Sequence, residues 1–225
     1  MTTSPTSYTA AEAVASILLE IEAVHIRPDQ PFTLTSGYAS PVYVDCRKVI
    51  SFPRARRAII DFAVAQIERN IGYESLDAIA GGETAGIPYA AWIAEKLNLP
   101  MLYVRKKPKG FGRNAQIEGT FPEGARVLLV EDLATDGKSK VGFVNALRQA
   151  GARIHHTQVV FFYSAFKGGL ALLDELDVSL HALTTWRDVL TVASAKGSIT
   201  AEQRADVESF LNDPVAWSVA HGGAG

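Results

Sequence analysis

From Phe52 onward the chain alternates segments of helical period with short apolar runs, and that alternation limits the folds open to it. "FPRARRAIIDFAVAQIERN" spaces its apolar residues as an amphipathic helix does, whereas "LDAIAGG" is a short continuous apolar run ending in glycines. "IPYAAWIAEKLNL", "PMLYVRK", "RVLLVED", "KSKVGFVNALRQAG", "TQVVFFY" and "VSLHALTTW" follow. The order reads βαββαβ with additional helices, closing with "TAEQRADVESFLND" and a Gly-rich tail. The expected fold class is α/β: a mainly parallel sheet flanked by helices on both faces, with binding loops at the carboxyl ends of its strands. A chain of 225 residues, 48% hydrophobic, suffices for one such domain with a small attachment.

Upstream of the alternation the pattern differs. The first eight residues are a Ser/Thr-rich tail, and "AAEAVASILLEIEAV" is a helix that Ser7 or Thr9 could cap. "HIRPDQPFTLTSGYASPVYVDCRK" has no helical period; Pro28, Pro31, Gly37 and Pro41 break it, and "PVYVD" reads as a short strand. This segment is a structured cap on the main domain. A net charge of −2 gives no global attraction to nucleic acid or to an anionic membrane. The lone Cys46 cannot form an internal disulfide, and no apolar run of about 18 residues is present. A cytoplasmic protein with no membrane and no nucleic-acid partner is expected.

The stretch "VLLVEDLATDGKS" carries the most chemistry. A buried strand ends in two adjacent carboxylates, Glu131 and Asp132, and the chain then turns through Thr135, Gly137 and Ser139 into a helix. Repulsion within the acidic pair must be offset by something cationic or hydroxylated, and two vicinal hydroxyls can each donate to a carboxylate. Backbone N–H groups and hydroxyls around Gly137, at a helix start with partial positive charge, suit a phosphate monoester. A ribose 5-phosphate satisfies both halves. The pattern is neither a Walker loop nor a dinucleotide fingerprint.

Two further loops belong to the same end of the sheet. "RKKPKGFGRNAQIEG" carries five cations in its first nine residues and follows the apolar run "PMLYV". A cationic cover of this kind suits a diphosphate leaving group and excludes water from a reactive intermediate. "GGETAGIP" has small residues that let backbone amides approach a ligand. The five histidines, 25, 155, 156, 181 and 221, show no metal-ligand spacing. His155 and His156 belong at a strand start, and Trp186, Arg187 and Asp188 open a late helix.

"VLLVEDLATDGKS" resembles the 5-phosphoribosyl 1-diphosphate (PRPP) signature of the type I phosphoribosyltransferases. With "FTLTSGYASPVYVD", "GGETAGIP" and "RKKPKGFG" in this order, the chain resembles the orotate phosphoribosyltransferase family over roughly residues 10 to 190. The resemblance implies a PRPP-binding α/β core at 53–195, an N-terminal helix and hood over the base at 1–52, and a C-terminal helix and tail at 196–225. It implies transfer of the phosphoribosyl group from PRPP to orotate, giving orotidine 5′-phosphate and diphosphate. The alternatives are transfer to another nucleobase, or a PRPP-sensing regulator without turnover.

By the same resemblance Lys106, Lys109 and Asp132 are the catalytic candidates. PRPP is held by Arg105, Lys106, Lys109, by Glu131, Asp132, Leu133, Ala134, Thr135, Asp136, Gly137, Lys138 and Ser139, and by Glu83 and Thr84, whose peptide link is a candidate for a cis bond. Thr35, Tyr43, Val44 and Thr135 face orotate. The implied cofactor is Mg²⁺, bound mainly through PRPP, and the implied assembly is a homodimer whose cationic loops reach the partner's site. Many relatives carry Lys at the position of Thr35, His at that of Phe111, and an Asp-Arg motif after the fourth strand, where "VVFFYSAFKGG" has no Arg. Arg47 or Lys48 could supply that missing cation.

Overall fold

The computed structural model describes residues 8–110, 116–135, 137–166 and 168–225, with the side chains at 138, 139 and 169 excepted. The N-terminal helix α1 (Ala10–Glu20) is closed by a reciprocal capping box: Thr9 accepts from the Glu12 amide, and the Glu12 carboxylate accepts from the Thr9 amide. The cap segment then forms β1 (Val24–Ile26), β2 (Phe32–Thr33), β3 (Ala39–Ser40) and β4 (Val42–Val44). These pair locally, β1 antiparallel to β4 and β2 antiparallel to β3, so the segment is two small ribbons beside the main sheet. A 3-10 turn (Cys46–Ser51) leads into α2 (Pro53–Asn70), where Pro53 occupies the first turn, in which a missing N–H costs nothing.

The main sheet follows from β5 (Ala78–Gly82), β6 (Met101–Val104), β7 (Ile117–Glu118), β8 (Arg126–Ala134), β9 (Arg153–Phe162) and β10 (Ser179–Thr185). Its order is β10-β9-β8-β5-β6-β7, parallel except for the short edge strand β7, which runs antiparallel to β6. The sequence expectation of a mainly parallel sheet holds; β7 is an addition, two residues folded back from the basic loop.

Helices cover both faces. Ile79, Leu128, Val130 and Val160 pack with α1, α2, α3 (Gly86–Leu97), α6 (Trp186–Ala195) and α7 (Ala201–Asn212). Ala80, Leu102, Val127 and Leu129 point the other way, onto α4 (Lys138–Gln149) and α5 (Gly169–Asp174). Alternation along each strand therefore feeds two cores, as a sheet buried on both sides requires. The chain closes with α8 (Pro214–Ala220), a further helix beyond the one the sequence pattern predicts there.

At the start of α3 the packing is backbone on backbone. A methyl group on Gly81 would fall 2.8 Å from both the Gly86 carbonyl oxygen and Ile87 Cα, and one on Gly86 would strike the Val130 carbonyl and lie 3.2 Å from Glu131 Cα. The small residues of "GGETAGIP" thus bring the first turn of α3 against β5 and β8.

Candidate active site

The carboxyl ends of β5, β6 and β8 open into one crevice of about 1640 Å³. Of the residues singled out in the sequence, Thr35, Tyr43, Val44, Glu83, Thr84, Lys106, Glu131, Asp132, Leu133 and Thr135 line it. The floor is the end of β8. Its two carboxylates are largely buried, and burial raises both above the ordinary carboxylate range, opposed chiefly by Lys140. Asp132 is further steadied by its own backbone N–H and that of Leu133.

Glu131 is held from below. Lys140, 1% exposed, donates from Nζ to Glu131 Oε2 at 3.1 Å and to the Leu133 carbonyl at 2.8 Å. Sequence reasoning missed this lysine, although a signal existed. Lys140 stands three, four and seven residues before the buried Phe143, Val144 and Leu147, on the apolar stripe of α4.

The wall at β5 carries the expected cis peptide between Glu83 and Thr84. Glu83 Oε2 accepts from the Lys106 amide at 2.7 Å, which pins the start of the cationic loop to this wall. Gly82 lies behind it, and a side chain there would occupy the place of the Glu131 carboxylate. The roof comes from the N-terminal segment, fixed to the core by two hydroxyls: Tyr89 donates to the Cys46 carbonyl at 2.7 Å and Tyr163 to that of Val42 at 3.5 Å.

The remaining candidates lie elsewhere. Arg105 turns to its own hairpin, Nη1 to Glu118 Oε1 at 3.4 Å, and like Lys109 does not line the crevice. Ala134 is buried, its carbonyl accepting from Tyr163 N at 2.9 Å. Gly137 adopts φ 72° as the N-cap of α4, a left-handed conformation that favours glycine. Lys138 and Ser139 begin α4 with side chains outside the described set, and Asp136 and Phe111 lie outside the described residues. Of the two candidate cations near the cap, Lys48 is engaged by the Glu22 carbonyl at 3.1 Å, whereas Arg47 lines the crevice with its Nε on Asp45 Oδ1 at 2.8 Å. Two stretches of wall contain no residue named in the sequence as a site candidate: Tyr163, Ala165 and Phe166, in the run noted only for having no Arg, and Asn212 to Val215.

Comparison with known proteins places this crevice in a family. The phosphoribosyl transferase domain family matches residues 53–181. An orotate phosphoribosyltransferase of Cereibacter sphaeroides is 56% identical over 220 residues, covering 96% of this chain and 95% of its own. The chain belongs to the orotate phosphoribosyltransferase family. A second member, from Sinorhizobium fredii, is 54% identical over 215 residues, with 96% and 93% covered. Among solved structures, the orotate phosphoribosyltransferase of Aeropyrum pernix superposes with a TM-score of 0.69 at 29% identity, covering 83% of this chain and 99% of that one. The UMP synthase of Leishmania donovani gives 0.75 at 30% identity; 90% of this chain matches 42% of that longer one. As in other orotate phosphoribosyltransferases, the sheet is mostly parallel with helices on both sides.

Proposed function

We infer that the chain, as a member of this family, transfers the 5-phosphoribosyl group from PRPP to orotate, giving orotidine 5′-phosphate and diphosphate in pyrimidine nucleotide synthesis, and that the crevice above is where it does so. The observation that carries this reading is the paired carboxylate floor of β8, placed directly before the turn into α4. Glu131 and Asp132 accept from the ribose hydroxyls. Backbone N–H groups from Thr135 to the start of α4, with Ser139, take the 5-phosphate. Lys106, held at the rim by the hydrogen bond from its backbone N–H to the Glu83 carboxylate, faces the diphosphate together with the Glu83–Thr84 wall.

Thr35, Tyr43, Val44 and Thr135 enclose the flat base, and Arg47 meets the orotate carboxylate; the part of its guanidinium not engaged by Asp45 takes the place of the Arg that the stretch after β9 lacks. N1 of orotate gives up its proton to solvent and bonds to C1 of the sugar as the C1–O bond breaks and its electron pair leaves with diphosphate, so the protein must stabilise departing negative charge and needs no nucleophile of its own. Lys106 and Lys109 do so from the loop, which as a cover excludes water from the cationic sugar.

Among the described residues no group of three or more His, Cys, Asp or Glu side chains could hold a metal ion. The crevice instead offers hard oxygen donors beside the diphosphate position, a set that fits Mg²⁺ arriving on PRPP with one or two protein carboxylates nearby. When bound, the ion neutralises charge on the leaving diphosphate. We further propose a cytoplasmic homodimer in which Arg105, Lys106 and Lys109 serve shared sites. Its units are a hood at 1–52, a PRPP core at 53–195 and a C-terminal helical segment at 196–225. Among the described residues no helix is long and apolar enough to cross a membrane.

Following the loss of orotate absorbance with PRPP and Mg²⁺, against a panel of bases, tests the assignment. Turnover should require all three components and stop on chelation. Equal or faster turnover with hypoxanthine, adenine or uracil would overturn the orotate assignment.

A further inference from the structure

Lys140 is a charged side chain for which the mechanism above has no use. It is fully buried, and a buried ion pair is often matched or bettered in stability by apolar residues of similar size. Folding alone is therefore a weak reason for a lysine on this stripe. Its partner is held on two sides. Lys140 Nζ takes Glu131 Oε2 at 3.1 Å, and the other carboxylate oxygen lies in space left open by Gly82, where a methyl group would also come within 2.8 Å of the Phe143 ring.

We propose that Lys140 is a positioning residue for the sugar: from beneath the crevice it holds the Glu131 carboxylate ionised and in one orientation, ready to accept from a ribose hydroxyl of PRPP. This rests on the reading that Glu131 meets the ribose. The groups facing the pair come from four elements. Lys140 approaches from α4, Asp132 stands beside Glu131 on β8, Lys106 lies past β6, and Arg47 in the 3-10 turn acts on Asp132. Burial pushes the Glu131 carboxyl up, Lys140 is the largest opposing influence, Asp132 adds to the rise and Lys106 counters it. A protonated Glu131 would present a donor where the sugar hydroxyl needs an acceptor. Lys140 also leaves the floor with one net negative charge instead of two, which lowers its repulsion of an anionic substrate.

The test compares Lys140→Met, Glu131→Gln and the double variant. Lys140→Met should lower kcat/KM for PRPP by about tenfold or more, the worth of a hydrogen bond to a charged group. It should leave the KM for orotate nearly unchanged and move the acid limb of the PRPP profile to higher pH, because the ionised form binds and its pKa has risen. Glu131→Gln should show a similar loss, and adding Lys140→Met to it should cost little more. Should Lys140→Met fail to fold, the double variant, with neither ion left buried, is compared with Glu131→Gln alone, and the two should bind PRPP alike.

Equal losses for both substrates with an unmoved pH profile would make Lys140 a structural support and overturn the proposal. So would a further drop of about tenfold in the double variant, since Lys140 would then act by a route other than Glu131. Normal PRPP binding by Glu131→Gln would overturn the ribose reading and this proposal with it. A weakened Glu131→Gln beside a normal Lys140→Met would overturn this proposal alone.

Discussion

Replacing Asp132 by Asn should weaken PRPP binding while making the ligand-free protein more stable. The side chain is largely buried at the end of β8 and accepts from its own amide and that of Leu133; an Asn oxygen can keep those bonds while its NH₂ turns to the crevice. What is lost is a charged acceptor for a sugar hydroxyl. A hydrogen bond to a charged group is worth about 1.5–3 kcal/mol, so the dissociation constant for PRPP should rise by about 10- to 150-fold.

Stability moves the other way. Burial raises the folded-state pKa of Asp132 above its unfolded value, so ionisation costs the folded chain free energy. That cost sets in as pH rises through the ordinary aspartate range and is complete once pH exceeds the raised folded value. Asn carries no such cost. The variant should therefore melt higher than the parent at pH 8, and the gap should close as pH falls towards 4. Calorimetric titration with PRPP and melting curves across pH read the two effects separately. A variant that melts well below the parent at pH 8 would mean that Asp132 holds the fold together, and undiminished PRPP affinity would remove it from the sugar site.

Two glycine substitutions should separate site from scaffold. In Gly86→Ala the new methyl meets the Val130 carbonyl and the Cα of Glu131, backbone that cannot turn aside, so overpacking should cost about 1–3 kcal/mol, a Tm lower by roughly 2–10 °C. In Gly82→Ala the new methyl meets the end of the Glu131 side chain and the Phe143 ring and displaces the carboxylate, so PRPP binding should fall by about tenfold or more; a variant with normal PRPP binding would contradict the close fit. His156 and His181, 3.1 Å apart on adjacent strands, have pKa values lowered by burial. The unfolded chain therefore takes up protons first, and stability should fall as pH drops below about 6.5, the ordinary value for histidine. His156→Gln should flatten that dependence, and an unaltered slope between pH 7 and 5 would show that other groups set it.

The sheet was legible because its strands are continuous apolar runs separated by helical periods, and burial on both faces leaves little else they can be. β7 was not, since two residues paired to Tyr103 and Val104 leave no pattern of their own in a Gly-rich loop. The carboxylate floor was legible because Glu131 and Asp132 interrupt a strand where nothing structural calls for acid. The far walls of the crevice were not, because proximity there is tertiary. Asn212 to Val215 reach it because Ser218 Oγ accepts from the Ala39 amide at 3.0 Å and the Ala224 amide donates to the Gly37 carbonyl at 2.9 Å, contacts between residues about 180 positions apart.

Lys140 lies between these cases. Its place on an apolar stripe broke the local rule that charges avoid the buried face of a helix, and a broken rule asks for a partner. Only the fold could say which one. The chain turns back at Gly137, so that a residue nine positions after Glu131 arrives directly beneath its carboxylate. A lysine on a buried stripe just behind a strand that ends in paired acids is thus a feature that can be sought in sequence, and the pairing it implies is decided by the tightness of the turn between them.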